Sequence, residues 1–511
     1  MKRIASLLLT LVMLLGLTAC GEQKTADADN TQHNSAKTDF VIATASEAVT
    51  LDPQGGWDGN SLYVMRQMYN GLVKLDSDMN IVGDLAESWE FTSDTSVTFQ
   101  LKKGVHFHNG EEMKASDVVF SIQRAQENAK VKSFTANIES VVADDDYTVT
   151  INTSIPYAPL MSNLCHTANS IVSQKAVEES NGNFSASPCG TGPFKFVRWD
   201  AGDKIVLERN DDYFNGEVLP STLTFKLMSE DSARTFALET GEVDLNLVVA
   251  ANDAERIQNT DGLELVVTMS PKIEYVSMNQ KVAPFDNQLV RQAINYAIDR
   301  DALNTVATDG YGEVTDSVMN KQINGYTSDV THYEYNAEKA KELLAEAGYP
   351  NGFSTSIVVG TSARSVEAQV IQGNLQEVGI DLEIVQMESS TLLEQINNGD
   401  YEMFIMSYNN TTGDPDTSLY MLFNSQVPAS SGNRSFTNIP EVDELLEGAR
   451  VETENDKRME LYAQVQQILT EQAVWVPLYC VPSMVGTRSG LEGYTPHPLG
   501  NDVFDQLHYA G

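Results

Sequence analysis

The sequence predicts a mixed α/β fold, and three observations carry that expectation. Segments with a two-residue apolar alternation and segments with a helical apolar period follow one another along most of the chain. No repeat of 20 to 50 residues is present, which sets solenoids and propellers aside. No Pro- or Ser-rich linker divides the body, so any domains must be joined by chain crossings inside folded structure.

The strands come first. Alternating apolar residues mark them at Val97, Phe99 and Leu101, at Val149 and Ile151, at Ile205 and Leu207, and at Leu223, Phe225 and Leu227. Helices show the longer period. Asp286 can cap one whose Val290, Ala293, Ile294, Ala297 and Ile298 share a face, and Asn336 can cap another that ends at Gly348 with Pro350 just beyond. The run Met403 to Met406 is apolar throughout, as in a strand buried on both faces.

The N-terminus reads as an export signal. Lys2 and Arg3 precede an uncharged stretch from Ile4 to Leu17, which closes on Thr18, Ala19 and Cys20. Such a run is short for a bilayer span. Small residues just before a cysteine are what a lipoprotein signal peptidase accepts, so residues 1–19 are expected to be removed and Cys20 to carry acyl chains. Each buried methylene contributes about 0.8 kcal/mol, so two or three chains hold a protein at a membrane surface. Residues 20–38 are polar and aperiodic and read as a tether.

Beyond the tether remain about 470 residues, enough for two or three domains. Of these, no further stretch approaches membrane-spanning length. A formal net charge of −39 sets nucleic acid and anionic membrane surfaces aside as partners, since both repel such a field. Four cysteines without C-x-x-C spacing fit an exported protein rather than a zinc or redox site. Cys165 and Cys189 are the nearest pair; joined, they close a loop of about 25 residues, for which chain entropy predicts about 3 to 4 kcal/mol. Cys480 sits in an apolar run and is expected as a buried thiol.

Several stretches carry a family resemblance. They begin with Leu51-Asp52-Pro53, Leu85-Ala86-Glu87-Ser88-Trp89, Leu101-Lys102-Lys103-Gly104-Val105 and Ser116-Asp117-Val118-Val119-Phe120-Ser121. In order there follow Gly190-Thr191-Gly192-Pro193-Phe194, Arg209-Asn210-Asp211-Asp212-Tyr213, Gly241-Glu242-Val243-Asp244, Val290-Arg291-Gln292-Ala293, Ala297-Ile298-Asp299-Arg300 and Asn336-Ala337-Glu338-Lys339-Ala340. Each alone is weak, but the set in this order resembles the extracytoplasmic solute-binding proteins of ABC importers, family 5, the peptide/nickel type. The resemblance implies a two-lobed periplasmic-binding-protein clamshell of type II-like build. Its first lobe would comprise residues 39–72, 190–270 and 481–511, with an additional small domain over 73–189, and its second lobe residues 271–480. It further implies a receptor that captures a peptide or other small solute and delivers it to the importer's permease subunits, lipid-anchored on the outer face of the cell membrane. A sensing or adhesive lipoprotein on the same fold is the alternative.

Most motif residues read as structural. Gly190 and Gly192 before Pro193 suit a tight turn, and the third glycine of a dinucleotide loop is absent. Trp89 reads as core, and Arg291, Asp299 and Arg300 as charges at helix surfaces and ends. Asp76, Asp78, Asn80, Asp84 and Glu87 fall at EF-hand spacings, but Ile81 stands where that loop requires glycine, so no calcium site is expected. His106 and His108 share a strand face, yet no third ligand is placed beside them, so no metal is expected. Nor is there a G-x-S-x-G elbow, an H-E-x-x-H or a Walker loop, so nothing suggests an enzyme or a cofactor.

Two loops are the expected walls of a ligand cleft. After Leu51-Asp52-Pro53, Gly56, Trp57 and Asp58 combine pliable backbone with one large aromatic. After the buried strand at Met403, the loop carries Tyr408, Asn409, Thr411 and Asp414, and loops beyond the carboxyl ends of buried strands are where ligands usually sit. The dipeptide-binding members resemble this loop through Gly413-Asp414-Pro415-Asp416, with a carboxylate slightly upstream that grips the ligand's α-ammonium. Here that place holds Thr411, and a buried ammonium without a carboxylate is costly. Arg364 stands nearest to those members' carboxylate-gripping arginine. Peptides, a nickel chelate, glutathione-like compounds and oligosaccharides all remain open as ligands.

Overall fold

A computed structural model describes residues 37–510. The signal segment, Cys20 and nearly all of the tether lie outside the described residues. The main sheet runs, in spatial order, through Asp381–Gln386, Ser354–Val359, Met403–Asn409, Leu263–Met278, Trp475–Arg488, Leu245–Asn246, Asp39–Thr44, Thr222–Leu227, Lys204–Arg209 and Phe194–Asp200. A separate four-stranded antiparallel sheet is built from Ala86–Ser93, Ser96–Leu101, Thr148–Thr153 and Ile138–Asp145. All four predicted strand sets are present.

Two strands dominate the architecture. Leu263–Met278 and Trp475–Arg488 pair antiparallel along nearly their whole length, with register shifts between Met269 and Ile273 and again at Glu274 and Tyr275. To one side lies a core of Phe40, Ile42, Phe99, Phe194 and Leu223. To the other lies a core of Val276, Ile294, Ile357, Met403 and Ile405. A third cluster, with Tyr275, Phe404, Phe423, Tyr462 and Trp475, packs on the opposite face of that second half. Met403, Phe404 and Ile405 are fully buried between these two clusters, which is why the run carries no polar alternation.

Helix Gln288–Ala297 buries Val290, Ala293, Ile294 and Ala297, as its period predicts. Its cap is Asn287, one residue beyond Asp286. Asn336 caps helix Ala337–Glu346, accepting from the Lys339 N–H, and Gly348 leaves that helix at φ +95°. Asp299 and Arg300 stand at a helix start as expected, Asp299 as the cap of helix Arg300–Thr308, but the surface reading of Arg291 and Arg300 fails. Neither is a surface charge: each is 5% exposed and donates to backbone carbonyls, Arg291 to Phe285 and Gln472, and Arg300 to Pro477, Asn295 and Tyr333. Five donors on a planar fork let one side chain tie several otherwise unpaired carbonyls together.

The expected disulfide is not formed. Cys165, Cys189 and Cys480 are all free thiols. Cys165 ends the short helix Leu160–Leu164 and faces Asp84, whereas Cys189 lies against His108 and Asn109, so the two sulfurs sit in different surroundings. Burial raises the pKa of all three, Cys189 to about 11 and Cys480 to about 12, which keeps them protonated and inert. No helix among the described residues is long and apolar enough to cross a membrane.

Candidate ligand cleft

The first expected loop is rigid at its base. Asp52 forms a two-pronged pair with Arg124, at 2.6 and 2.5 Å, and Arg124 also reaches Gln54 Oε1 at 2.7 Å. Gln54 in turn donates to the carbonyls of Ala168 and Ser170. Asp58 is the cap of helix Gly59–Met68, accepting from the Ser61 N–H and hydroxyl, so its carboxylate is already occupied. At Gly56 an added Cβ would meet only Thr50 Cγ2, at 3.5 Å, so no tight packing demands glycine there. Trp57 is 41% exposed; its indole N–H donates to the Lys130 carbonyl, and its ring meets Phe134 and His166 edge-on at 5.6 and 5.8 Å. A large, part-exposed ring held at its edges is a contact surface of fixed orientation.

The second loop is held by Asn410. Its side-chain amide donates to the Asp414 carbonyl and Ser418 Oγ, and its oxygen accepts from the N–H groups of Thr412 and Gly413. Tyr408 is half-buried and donates to the Thr417 carbonyl at 2.5 Å, and Asn409 is exposed. Thr411 is 8% exposed. Asp414 caps helix Pro415–Phe423 and pairs with both Nη atoms of buried Arg458, at 2.9 and 2.5 Å. Two residues on, Asp416 lies 3.0 Å from Arg450 Nε, and burial outweighs that cation and raises its carboxyl to about 7.

Arg364, at the start of helix Ser362–Glu377, is also engaged. It holds Glu274 through Nε at 2.5 Å and Nη2 at 3.2 Å, and reaches Ser407 Oγ at 3.1 Å. Glu367 lies beside this pair; burial and then the Glu274 charge lift it to about 7, against the Tyr479 hydroxyl and Arg364. Only an unusual signal announced Glu274: a charge inside the apolar strand Ile273 to Met278.

The structure thus brings Gly56, Trp57 and Asp58 together in one loop, places Tyr408 and Asn409 at the end of strand Met403–Asn409 with Thr411 and Asp414 in the loop just after it, and leaves Arg364 with Glu274. Among the described residues no hydrogen bond or ring contact joins Trp57 to the second loop. Contacts of the second loop and its neighbours with the N-terminal part of the chain are made elsewhere. Ser162 Oγ donates to Asp414, the Ala158 N–H donates to the Arg450 carbonyl, and the Arg450 guanidinium sits 5.2 Å from the centre of the Tyr157 ring. Gly413, at φ +72°, comes so close to Met79 and Leu75 that a Cβ would meet Met79 Cε at 2.7 Å. Ser162, Arg450 and Arg458 were not expected from sequence, because nothing in a lone serine or a helix-surface arginine pattern marks a contact between segments so far apart in the chain.

His106 and His108 diverge. His106 bridges to Glu112 on the exposed edge, while both ring nitrogens of His108 are taken by the backbone of Gly190 and Gly192. Asp76 binds the N–H groups of Asp78 and Asn80 in its own hairpin turn. Among the described residues no group of three or more His, Cys, Asp or Glu is placed to hold a metal. A cavity of about 460 Å³ lies between the Tyr69–Ser77 segment, the Cys165–Ser170 segment and residues 495–505.

Comparison with known proteins accounts for this plan. The family model for bacterial extracellular solute-binding proteins, family 5 middle, matches residues 80–430. The glutathione-binding protein GsiB of Pectobacterium atrosepticum is 31% identical over 477 residues, covering 91% of this chain and 92% of that protein. GsiB of Escherichia coli strain K12 is 30% identical over 472 residues, covering 90% and 92%. Among solved structures, DppA from Helicobacter pylori in complex with the peptide STSA superposes with a TM-score of 0.82 at 30% identity, over 93% of this chain and 99% of that one. AppA from Bacillus subtilis in complex with a nonapeptide superposes at 0.79 with 27% identity, over 93% and 99%. With likeness running the length of the chain and a fold of two lobes joined by a pair of long crossing strands, this chain belongs to the family 5 bacterial extracellular solute-binding proteins, the solute-capturing receptors of ABC importers.

Proposed function

We propose that the solute is peptide-like or another small polar molecule, captured between a first lobe of residues 39–72, 190–270 and 481–511, carrying an additional domain over 73–189, and a second lobe of residues 271–480. Chain-long likeness to proteins named for glutathione and peptide binding carries this reading. Trp57 and the Tyr408–Thr411 segment are the contact surfaces on the two sides, and closure links them, because a ligand touching both lobes shifts the hinge equilibrium by its differential affinity for the closed state.

Neither peptide end has an evident charged grip at the expected places. Arg364 is satisfied by Glu274, and Thr411 offers a hydroxyl in place of a carboxylate. The reading therefore favours a ligand held along its backbone and side chains over one clamped by its termini. Mass spectrometry of small molecules released on denaturing the purified protein tests it: a peptide-like or other small polar compound at near-equimolar yield is expected, and a predominantly apolar compound such as a lipid in its place would overturn it.

The second part of the proposal is the anchor. Cys20 carries the lipid that holds the receptor on the outer face of the cell membrane, within reach of the permease subunits. Cys20→Ala is expected to abolish partition into a detergent phase; a variant that partitions like wild type overturns the anchor.

A further inference from the structure

Asparagine followed by glycine is open to self-modification, because glycine has no Cβ to keep its backbone nitrogen away from the asparagine side chain. The chain contains seven such pairs, and sequence alone does not rank them. The structure does. In four of them the glycine N–H is already bonded: Gly71 to Asp84 Oδ2, Gly110 to the Phe107 carbonyl, Gly352 to that of Tyr349 and Gly399 to that of Ile396. A bonded N–H must let go before its nitrogen can attack. The N–H groups of Gly182, Gly216 and Gly325 have no acceptor among the described residues. Gly325 is nonetheless pinned: the Tyr326 N–H closes its turn on the Ile323 carbonyl at 3.1 Å, its own carbonyl accepts from the Gln466 amide at 2.8 Å, and Met459 Sδ stands 2.7 Å from where a Cβ would come. The Asn181 amide is tied back to the Glu179 carbonyl at 3.0 Å. Asn215 and Gly216 are both exposed, a Cβ on Gly216 would meet nothing within 4 Å, and the Asn215 amide is held by nothing firmer than the Tyr213 hydroxyl beside it.

We propose that Asn215 is a site of spontaneous modification, closing on Gly216 to a succinimide that opens to aspartate and isoaspartate. The Gly216 nitrogen gives its proton to solvent and bonds to Asn215 Cγ; the Cγ–Nδ2 bond breaks, and that nitrogen leaves as ammonia. Water then adds to one of the two imide carbonyls. Opening on one side restores the ordinary backbone with an aspartate side chain, and opening on the other routes the backbone through the side chain, one methylene longer. Either product replaces a neutral amide by a carboxylate, and water is the only co-reactant. The new charge falls on the wall of the cavity of about 460 Å³, which Asn215 and Tyr213 line together with Asp84 and Asp505. The segment is tied on both sides, the Tyr213 N–H to the Asn210 carbonyl and the Leu219 N–H to the Asp505 carbonyl, so isoaspartate adds length between held ends.

Peptide mapping by mass spectrometry during incubation of the folded, full chain at mildly alkaline pH tests this, with the same incubation in urea as the reference. In the folded protein the Asn215 peptide is expected to gain one mass unit first and to split chromatographically into aspartate and isoaspartate forms. Its rate should exceed those at Asn109 and Asn351 by at least about fivefold, the factor that one net hydrogen bond on the attacking N–H sets. In urea the rates at these three pairs should converge. Asn215→Gln, which would need a larger ring, should leave that peptide unchanged over the same period. An Asn215 rate no higher than those of Asn109 and Asn351 in the folded chain, or the same ranking persisting in urea, would each overturn the assignment. The rates are read on the wild-type chain, so the outcome does not depend on how the variant folds.

Discussion

Ser162 Oγ lies 3.0 Å from Asp414 Oδ2, joining two segments some 250 residues apart through a carboxylate that Arg458 already grips with both Nη atoms. Asp414 therefore organises both its own helix start and the contact with the Leu160–Leu164 helix. Asp414→Ala leaves a nearly fully buried guanidinium without its counter-ion, and is expected to destabilise the protein by about 3 to 5 kcal/mol in denaturant unfolding. A loss below about 1 kcal/mol would show that the pair is not structural.

Trp57→Ala and Tyr408→Ala are expected to separate. Trp57 is part-exposed and contributes a contact surface, so its loss should weaken solute binding by about 1 to 3 kcal/mol and barely alter unfolding. Tyr408 packs against the cluster of Tyr275, Phe404 and Trp475 and donates to the Thr417 carbonyl, so its loss should also cost about 2 to 4 kcal/mol of stability. Isothermal titration and urea unfolding on both variants make the comparison; equal unfolding curves would place Tyr408 outside the core.

Reductant should leave the melting temperature unchanged. With Cys165, Cys189 and Cys480 free and their thiols raised in pKa, alkylation of the folded protein should be slow and that of the unfolded protein fast at all three positions. A linked Cys165–Cys189 peptide in a non-reducing map would contradict this.

His108 is held neutral in the fold, its pKa lowered to about 4 mainly by burial, with its Gly192 hydrogen bond opposing. The unfolded chain takes up a proton at this position near pH 6.5 and the folded chain does not, so the stability it contributes is present above pH 6.5 and lost as pH falls toward 4. The slope is at most about 1.4 kcal/mol per pH unit for this one group. Subtracting the stability curve of His108→Gln from that of wild type isolates it; a flat difference between pH 6.5 and 4 would refute the assignment.

Legibility from sequence followed locality. The helix faces at Val290 to Ala297, the Asn336 cap and the buried run at Met403 depend on neighbours within a turn or a strand, and all appear where their periods put them. The partners of Arg364, Asp414 and the cysteines depend on chain segments far apart in sequence, such as Glu274 with Arg364 and Ser162 with Asp414. Asp58 and Asp414 illustrate the ambiguity: an aspartate before a helix is suited both to capping and to ligand contact, and here both cap. Spacing alone likewise suggested a disulfide that Cys165 and Cys189, facing Asp84 and His108, do not form.

Strand Trp475–Arg488 occupies the middle of the main sheet, between Leu263–Met278 and Leu245–Asn246, although it is nearly the last element of the chain to be made. Until it arrives, the strands on either side present open edges that can pair with other chains. A polypeptide emerging from its N-terminus first must therefore hold both halves unfinished until this strand is free, and a truncation before Trp475 would remove the seam that joins them. Such a fragment should aggregate rather than persist as one intact half, which makes the arrival of Trp475–Arg488 the point of commitment in the folding of the whole receptor.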